Sequence, residues 1–218
     1  STANDVRAIT WAVWQHGAGR GVDDLVVMFV GTGIGGGVVS GGHVLEGHQG
    51  IAGELGHRPI APHGRSCHCP NEGCWEAYAG GWAIAERARD AVRSTPEAGT
   101  ALRSRAGSIE DITGRTVHAA YNDGDPLAID LVNATGEYLG IGLIGVVNAF
   151  NPTRIVLGGG VIEGHPAYVE KVRHIVGERA LTVATDELEI VRSELGGGAG
   201  VVGAATMARH GTDIQAPS

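Results

Sequence analysis

Twice along this chain, a short apolar run of strand length ends in a row of glycines. Residues 25–30 form a continuous run rich in valine that stops at Gly31, and residues 155–157 run into a second group, Gly158, Gly159 and Gly160. Runs of this length and composition are typical of buried strands. Because segments of helical periodicity lie between them, the sequence predicts an α/β fold with a partly parallel sheet.

The remaining pattern predicts the other elements. A first helix is expected from a cap at Asn4 or Asp5 to the glycines that begin at Gly17, with apolar residues at helical spacing over 9–16. Further helices are expected at residues 82–92, 109–121, 126–150 and 166–179. A hairpin is expected over residues 38–45, a strand over 187–191 and a last small-residue helix from the glycines at 196–200 to about residue 209. The long helix contains four glycines that would allow close packing: Gly136, Gly140, Gly142 and Gly145.

Composition excludes several classes of protein. Glycine supplies 37 of the 218 residues, but without a three-residue period, and hydrophobic residues make up 43%, which excludes a collagen-like or disordered chain. The net charge is −8 and the basic residues are scattered, so no nucleic-acid partner is expected for this segment. No signal peptide and no uninterrupted apolar stretch of about 20 residues is found. We therefore expect a cytoplasmic protein that does not enter the membrane.

The cysteines lie within eight residues of one another, at Cys67, Cys69 and Cys74. An odd number of closely spaced cysteines indicates a metal site rather than a disulfide framework, and tetrahedral zinc commonly takes three cysteines and one histidine. The fourth ligand could be His57, His63 or His68. His57 is the best choice, because His68 lies between two ligands and would point away. The alternative is three free thiols.

The first glycine run has the features of a phosphate-binding loop. Gly31, Thr32 and Gly33 follow a strand and expose successive backbone N–H groups without bulky side chains. The spacing of Gly31, Gly33 and Gly36 fits G-x-G-x-x-G, but it leads into a hairpin instead of a helix, which argues against a Rossmann fold. A plain glycine turn is the alternative.

Three acidic residues flank these motifs. Taken alone, Asp5 is typical of a helix cap. Glu54 and Glu76, which lie on either side of the cysteines, would be solvated surface groups if each is taken alone.

Five motifs together resemble the ordered signature of the ROK family of sugar kinases and sugar-responsive repressors. They are Asn4-Asp5, Gly31-Thr-Gly-Ile-Gly-Gly36, Ala52-Gly-Glu-Leu-Gly-His57, Cys67-x-Cys-x₄-Cys-Trp-Glu76 and Leu157-Gly-Gly-Gly160. The resemblance runs over residues 1–209 and is strongest to the family's bacterial glucokinases. It implies an actin/hexokinase-like (ribonuclease H-like) fold in which two lobes close over a sugar and ATP, with an inserted zinc loop.

The resemblance also implies roles for individual residues. Asp5 would be the general base that accepts a proton from the attacking sugar hydroxyl. The sugar would be held by Asn4, Glu54, His57 and Glu76. ATP, which acts with Mg²⁺, would meet Gly31, Thr32 and Gly33 at its phosphates and Gly158, Gly159 and Gly160 at its adenosine. A structural zinc ion would be bound by His57, Cys67, Cys69 and Cys74, and His57 would use its other nitrogen for the sugar.

The sequence departs from the family pattern in one respect. The Asp-x-Gly-Gly-Thr motif of the family's first lobe is absent, so residues 1–211 resemble the C-terminal lobe, followed by a disordered tail over 212–218. This chain alone is expected to be incomplete for catalysis. Pro70 replaces a glycine usual in the family, a small change for metal binding.

Two functions remain open. The chain is either the lobe of a hexose kinase, with glucose as the leading substrate, or the effector-binding region of a ROK repressor. The intact phosphate loop favours the kinase, and a dimer or tetramer is expected. A mere association module is a third, less specific alternative.

Overall fold

A computed structural model describes the backbone of residues 5–196 and the side chains from Arg7 onward. Asn4, the expected last helix and the tail lie outside the described residues. Within them, one sheet contains β1 (Leu25–Val30), β2 (Ile34–Ser40), β3 (His43–Val44), β4 (Arg154–Gly158) and β5 (Glu189–Arg192).

The strand order in this sheet is β3-β2-β1-β4-β5. β1 pairs antiparallel with β2 and parallel with β4, and β4 pairs parallel with β5. Val30 lies opposite Ile34 in the β1–β2 hairpin, so residues 31–33 make the turn between them. The partly parallel sheet predicted from the sequence is confirmed.

The helices surround this sheet. They are α1 (Asp5–His16), α2 (Glu76–Ala79), α3 (Gly81–Ser94), α4 (Thr100–Ala106), α5 (Gly114–Asn122), α6 (Pro126–Phe150), α7 (Gly160–Gly164), α8 (Ala167–Arg179) and α9 (Thr182–Thr185). The sequence analysis missed the short helices α2, α4, α7 and α9.

The sheet has an apolar core on each side. Val26, Met28 and Val30 belong to the larger core, to which α6 and α8 contribute, whereas Leu25 and Val27 join a smaller core together with α1. Alternate side chains of a strand point to opposite faces. The run in β1 is therefore apolar at every position because both faces are covered.

Two predicted boundaries were wrong. The helix expected from residue 109 begins at Gly114, because the Thr113 hydroxyl accepts a hydrogen bond from the backbone N–H of Thr116 and so caps the helix there. The hairpin expected over residues 38–45 begins earlier, because its first strand, β2, starts at Ile34. Glycine has a low strand propensity, but the pairing of β2 with β1 outweighs it.

Helix α6 packs closely through its glycines, as predicted. A Cβ atom at Gly136 would lie 2.7 Å from the side chain of Lys171. At Gly142 it would overlap the ring of Trp75, and at Gly145 the guanidinium of Arg58. These glycines let the segment around the cysteines lie directly on α6.

Among the described helices, α6 alone is long and apolar enough to cross a membrane by length and composition, with a mean hydropathy of 1.3. The helix contains Asp130 and Glu137, so it is not an uninterrupted apolar stretch. Half of its most apolar window is buried, and Leu139, Leu143 and Val147 belong to the larger core.

Candidate functional site

The four expected zinc ligands converge at one point. Their ligand atoms, from His57, Cys67, Cys69 and Cys74, all lie within 4.8 Å of one another. The Sγ atom of Cys67 lies 3.6 Å from Nδ1 of His57, and the Sγ atoms of Cys69 and Cys74 are 3.6 Å apart. Zn–S bonds of about 2.3 Å in a tetrahedron separate sulfurs by about 3.8 Å. The cluster therefore fits a closed zinc site.

The other two histidines considered as ligands lie elsewhere. Nδ1 of His63 is 3.1 Å from a carboxylate oxygen of Glu72. The ring of His68 stacks on Trp82, with 4.0 Å between the ring centroids. The choice of His57 from the sequence agrees with this arrangement.

Two glycines shape the segment that carries these ligands. His57 ends a 3₁₀ turn, Leu55–His57, that lies against β2, where a side chain at Gly56 would overlap the carbonyl of Ile34. Gly73 has a φ of +74°, and a Cβ atom there would overlap the carbonyl of Ala61. Only glycine permits this return of the chain toward His57.

Burial also affects the thiols. It raises the pKa of Cys74 to about 12 and raises the pKa of Cys67, whereas a backbone hydrogen bond from Asn71 lowers the pKa of Cys69. Zinc binds thiolates, so a metal that occupies this cluster must release protons.

Glu76 lies between the cysteine segment and the glycine turn. Its side chain is buried, so the alternative of a solvated surface acid is wrong. Oε2 accepts a hydrogen bond of 2.7 Å from the backbone N–H of Ile34, and Oε1 accepts one of 3.0 Å from the indole N–H of Trp82. A carboxylate has about four lone-pair positions, so Glu76 is held rigidly and can still accept bonds from a ligand.

The structure gives fewer contacts for the other residues that are expected to lie at the sugar. Glu54 is exposed and precedes the 3₁₀ turn that ends at His57. Asp5 begins α1, which packs on β2 where a side chain at Gly37 would overlap the hydroxyl of Thr10. Nδ1 of His57 faces the sulfur of Cys67, so Nε2 is the ring nitrogen farther from that sulfur.

A cavity of about 690 Å³ is lined by the glycine turn and by residues of α3, α5, α6, α7 and α8. This volume is within the usual range of roughly 300–1,000 Å³ for small-molecule sites. Gly31, Thr32 and Gly160 line the cavity, so three of the six expected nucleotide residues come together.

The other three glycines shape the turns rather than the cavity wall. A side chain at Gly33 would overlap Oε2 of Glu76. Gly158 packs against Phe29, and Gly159, with a φ of +92°, lies against the backbone of Val30. These contacts hold the turn after β4 against β1 and place Gly160 at the start of α7.

Sequence reasoning missed most of the cavity wall, which includes Arg89, Thr113, Arg115, His118, Asn122, His165 and Tyr168. Two arginines and two histidines line it, and among the described residues no carboxylate does. Nη2 of Arg89 donates to the carbonyl of Ile112, while its buried Nε has no hydrogen-bond partner in the described structure. Burial, and secondarily the nearby His118, lower the pKa of His165. A wall of this composition suits an anionic ligand.

Comparisons with known proteins agree with these features. The ROK family model matches residues 1–210. The glucokinase of Streptomyces coelicolor is 32% identical over 213 residues, which cover 95% of this chain and 66% of that protein. The DNA-binding transcriptional dual regulator NagC of Escherichia coli is 32% identical over 192 residues, which cover 88% of this chain and 46% of that protein.

One solved structure extends the comparison to the fold. The crystal structure of a ROK family glucokinase from Streptomyces griseus in complex with glucose and AMPPNP has a TM-score of 0.84 and 35% identity, and covers 95% of this chain and 67% of that chain. This similarity confirms the expected actin/hexokinase-like fold. The chain spans less than two thirds of the length of the curated relatives described above.

Proposed function

Because this chain belongs to the ROK family, we propose that residues 1–211 form the sugar- and nucleotide-binding C-terminal lobe of an ATP-dependent hexose kinase with glucose as its substrate. One observation carries the proposal. The turn at residues 31–33 has the cavity on one side, lined by Gly31 and Thr32, and Glu76 on the other. Phosphoryl transfer requires a sugar hydroxyl and the terminal phosphate to be held side by side.

In this proposal, the sugar lies beside Glu76, His57, Glu54 and Asn4, and Asp5 accepts the proton of its attacking hydroxyl. Backbone N–H groups of the glycine turn face the phosphates of ATP. Mg²⁺ enters with ATP, since no carboxylate among the described residues lines the cavity to hold it.

Zinc bound by His57 and the three cysteines would supply structure rather than catalysis, because four protein ligands leave no open position. His57, when it holds zinc through Nδ1, would keep one tautomer and one orientation, with Nε2 directed to a sugar hydroxyl. Sugar affinity then depends on the metal.

The similarity to NagC over 88% of this chain favours a second candidate, the effector-binding region of a sugar-responsive repressor. Both candidates predict sugar binding. Only the kinase requires a nucleotide in the cavity. We propose that the kinase is a homo-oligomer and that it acts in the cytoplasm, where hexose and ATP are both available.

Titration calorimetry with glucose, N-acetylglucosamine and AMPPNP tests the proposal. We expect one glucose and one AMPPNP to bind per chain. An Asp5→Asn change should leave glucose affinity nearly unchanged and abolish glucose phosphorylation in the complete kinase, because asparagine cannot accept the proton. Sugar binding without nucleotide binding would favour the repressor, and wild-type turnover of the variant would exclude Asp5 as the base.

A further inference from the structure

Trp82, the second residue of α3, contacts several parts of the site at once. Its backbone N–H donates a 3.0 Å hydrogen bond to the carbonyl of Thr32 in the glycine turn. Its indole N–H donates a 3.0 Å bond to Oε1 of Glu76. Its ring stacks on His68, which lies between two of the expected zinc ligands, with 23° between the planes. Trp82 also lines the cavity.

These hydrogen bonds connect Thr32 and Glu76 by two routes. Thr32 is joined to Glu76 along the turn, through the N–H of Ile34 and Oε2, and a second time through Trp82. The residues in this closed set of bonds have little freedom to move. Glu76 is buried, and Gly33 lies so close to it that a Cβ atom would overlap the carboxylate. A shift of Thr32 or of Trp82 must therefore move the carboxylate of Glu76.

The indole N–H is the part of Trp82 that makes this second connection. Phenylalanine at this position would keep a ring against the cavity and against His68, and it would keep the backbone bond to Thr32. It would leave Oε1 of Glu76 without that donor. Trp14 is a natural control, since its indole N–H also donates to one acceptor, the carbonyl of Val22 at 2.8 Å, but it packs with the smaller core around α1.

We propose that Trp82 is a positioning residue that couples the nucleotide cavity to the sugar-binding carboxylate of Glu76, so that each ligand changes the affinity of the other within this lobe. The inference rests on the proposed function, which supplies the two ligands. A nucleotide that contacts Thr32 and the face of Trp82 fixes the indole N–H, and with it the orientation of Glu76 toward the sugar.

The test is a comparison of glucose affinity with and without saturating AMPPNP in the wild-type chain, Trp82→Phe and Trp14→Phe. We expect AMPPNP to tighten glucose binding at least about fivefold in the wild type, the lower end of typical coupling. The same factor must appear for AMPPNP when glucose is saturating, because coupling is reciprocal. In Trp82→Phe the factor should fall below about twofold, whereas Trp14→Phe should retain the wild-type factor.

The outcomes separate the two proposals. If the wild-type chain binds both ligands independently, or if Trp82→Phe keeps the full coupling, the inference is wrong and the proposed function stands. If the wild-type chain fails to bind glucose, AMPPNP or both, the proposed function and the inference are both wrong. A loss that is equal in both tryptophan variants would indicate general destabilisation and would also overturn the inference.

A spectroscopic measurement decides the matter if Trp82→Phe does not fold. The chain contains four tryptophans, and incorporation of 5-fluorotryptophan gives each a ¹⁹F resonance, assigned by replacing the other three one at a time. We expect glucose alone and AMPPNP alone each to shift the Trp82 resonance, and neither to shift that of Trp14. A Trp82 resonance that responds to one ligand only would contradict the coupling.

Discussion

The zinc loop, residues 57–74, and the cavity are built in opposite ways. All four expected ligands of the loop come from 18 consecutive residues, and the sequence spacing indicated the three cysteines and favoured His57 over two other histidines. The cavity wall extends from Gly31 to Tyr168 and draws on five helices as well as the glycine turn. A site built by local chain reversal is evident from spacing, whereas a site built by topology depends on how distant elements pack.

The largest effect is expected from removing one ligand of the zinc loop. Cys69→Ser should lose the bound zinc and lower the free energy of unfolding by about 4 kcal/mol, because loss of a metal is among the mechanisms behind the largest single-mutation effects. Glucose binding should weaken as well, because His57 is no longer oriented. Elemental analysis, chemical denaturation and calorimetry measure these effects.

His63→Asn is the matched control for that change. His63 lies in the same loop outside the ligand cluster, its side chain is 95% exposed, and its φ of 51° is one that asparagine tolerates. It should keep both zinc and stability. Unchanged glucose affinity in metal-free protein would break the proposed connection between the metal and the sugar.

A second prediction concerns how the loop is anchored to α6. Gly142→Ala places a methyl group into the ring of Trp75, the neighbour of Cys74, and overpacking of this kind costs about 2 kcal/mol. In Gly177→Ala, on the exposed face of α8, the added Cβ has open space. That change should stabilise the chain by about 0.5–1 kcal/mol, because alanine favours helix. Equal stability of the two variants would show that the loop does not depend on close packing at Gly142.

Sequence reasoning succeeded where a residue's environment is set by its near neighbours. The strand Leu25–Val30, the helix Pro126–Phe150 and its closely packed glycines agree with the structure. It failed at Arg89, His118 and His165, because nothing in their local sequence indicates that α3, α5 and the end of α7 face one cavity. It also treated the second glycine group as one unit. The structure separates Gly159, which has a positive φ that favours glycine and lies against Val30, from Gly160, which lines the cavity.

That separation predicts different outcomes for two adjacent substitutions. Gly160→Ala has open space for its methyl group, so stability should change little. The methyl group blocks backbone approach by a ligand, and AMPPNP affinity should fall about tenfold, or about 1.4 kcal/mol. Gly159→Ala should instead destabilise the fold by about 2 kcal/mol, because its φ is +92° and Val30 crowds it. If both variants lost affinity without losing stability, Gly159 would belong to the cavity wall after all.

The smallest expected effect is a pH dependence at the cavity. His165 is surrounded by the rings of His118, Tyr121 and Tyr168, and burial holds its pKa below the ordinary 6.5. Because the unfolded chain then takes up a proton at a higher pH than the folded chain, His165 contributes stability above pH 6.5 that is lost as the pH falls through its lowered folded pKa.

Denaturation of the wild type, His165→Gln and the exposed-site control His48→Gln at pH 7 and pH 5 measures this contribution. The loss of stability on acidification should be smaller in His165→Gln than in the wild type, and unchanged in His48→Gln. The proposed function places the phosphates of AMPPNP at the glycine turn, whereas His165 follows α7 at the other end of the cavity. AMPPNP should therefore change the acid loss equally in the wild type and in His165→Gln. A bound phosphate favours a charged imidazole beside it, so a smaller acid loss in the wild type alone would place the phosphates at His165 and contradict the assignment of the turn.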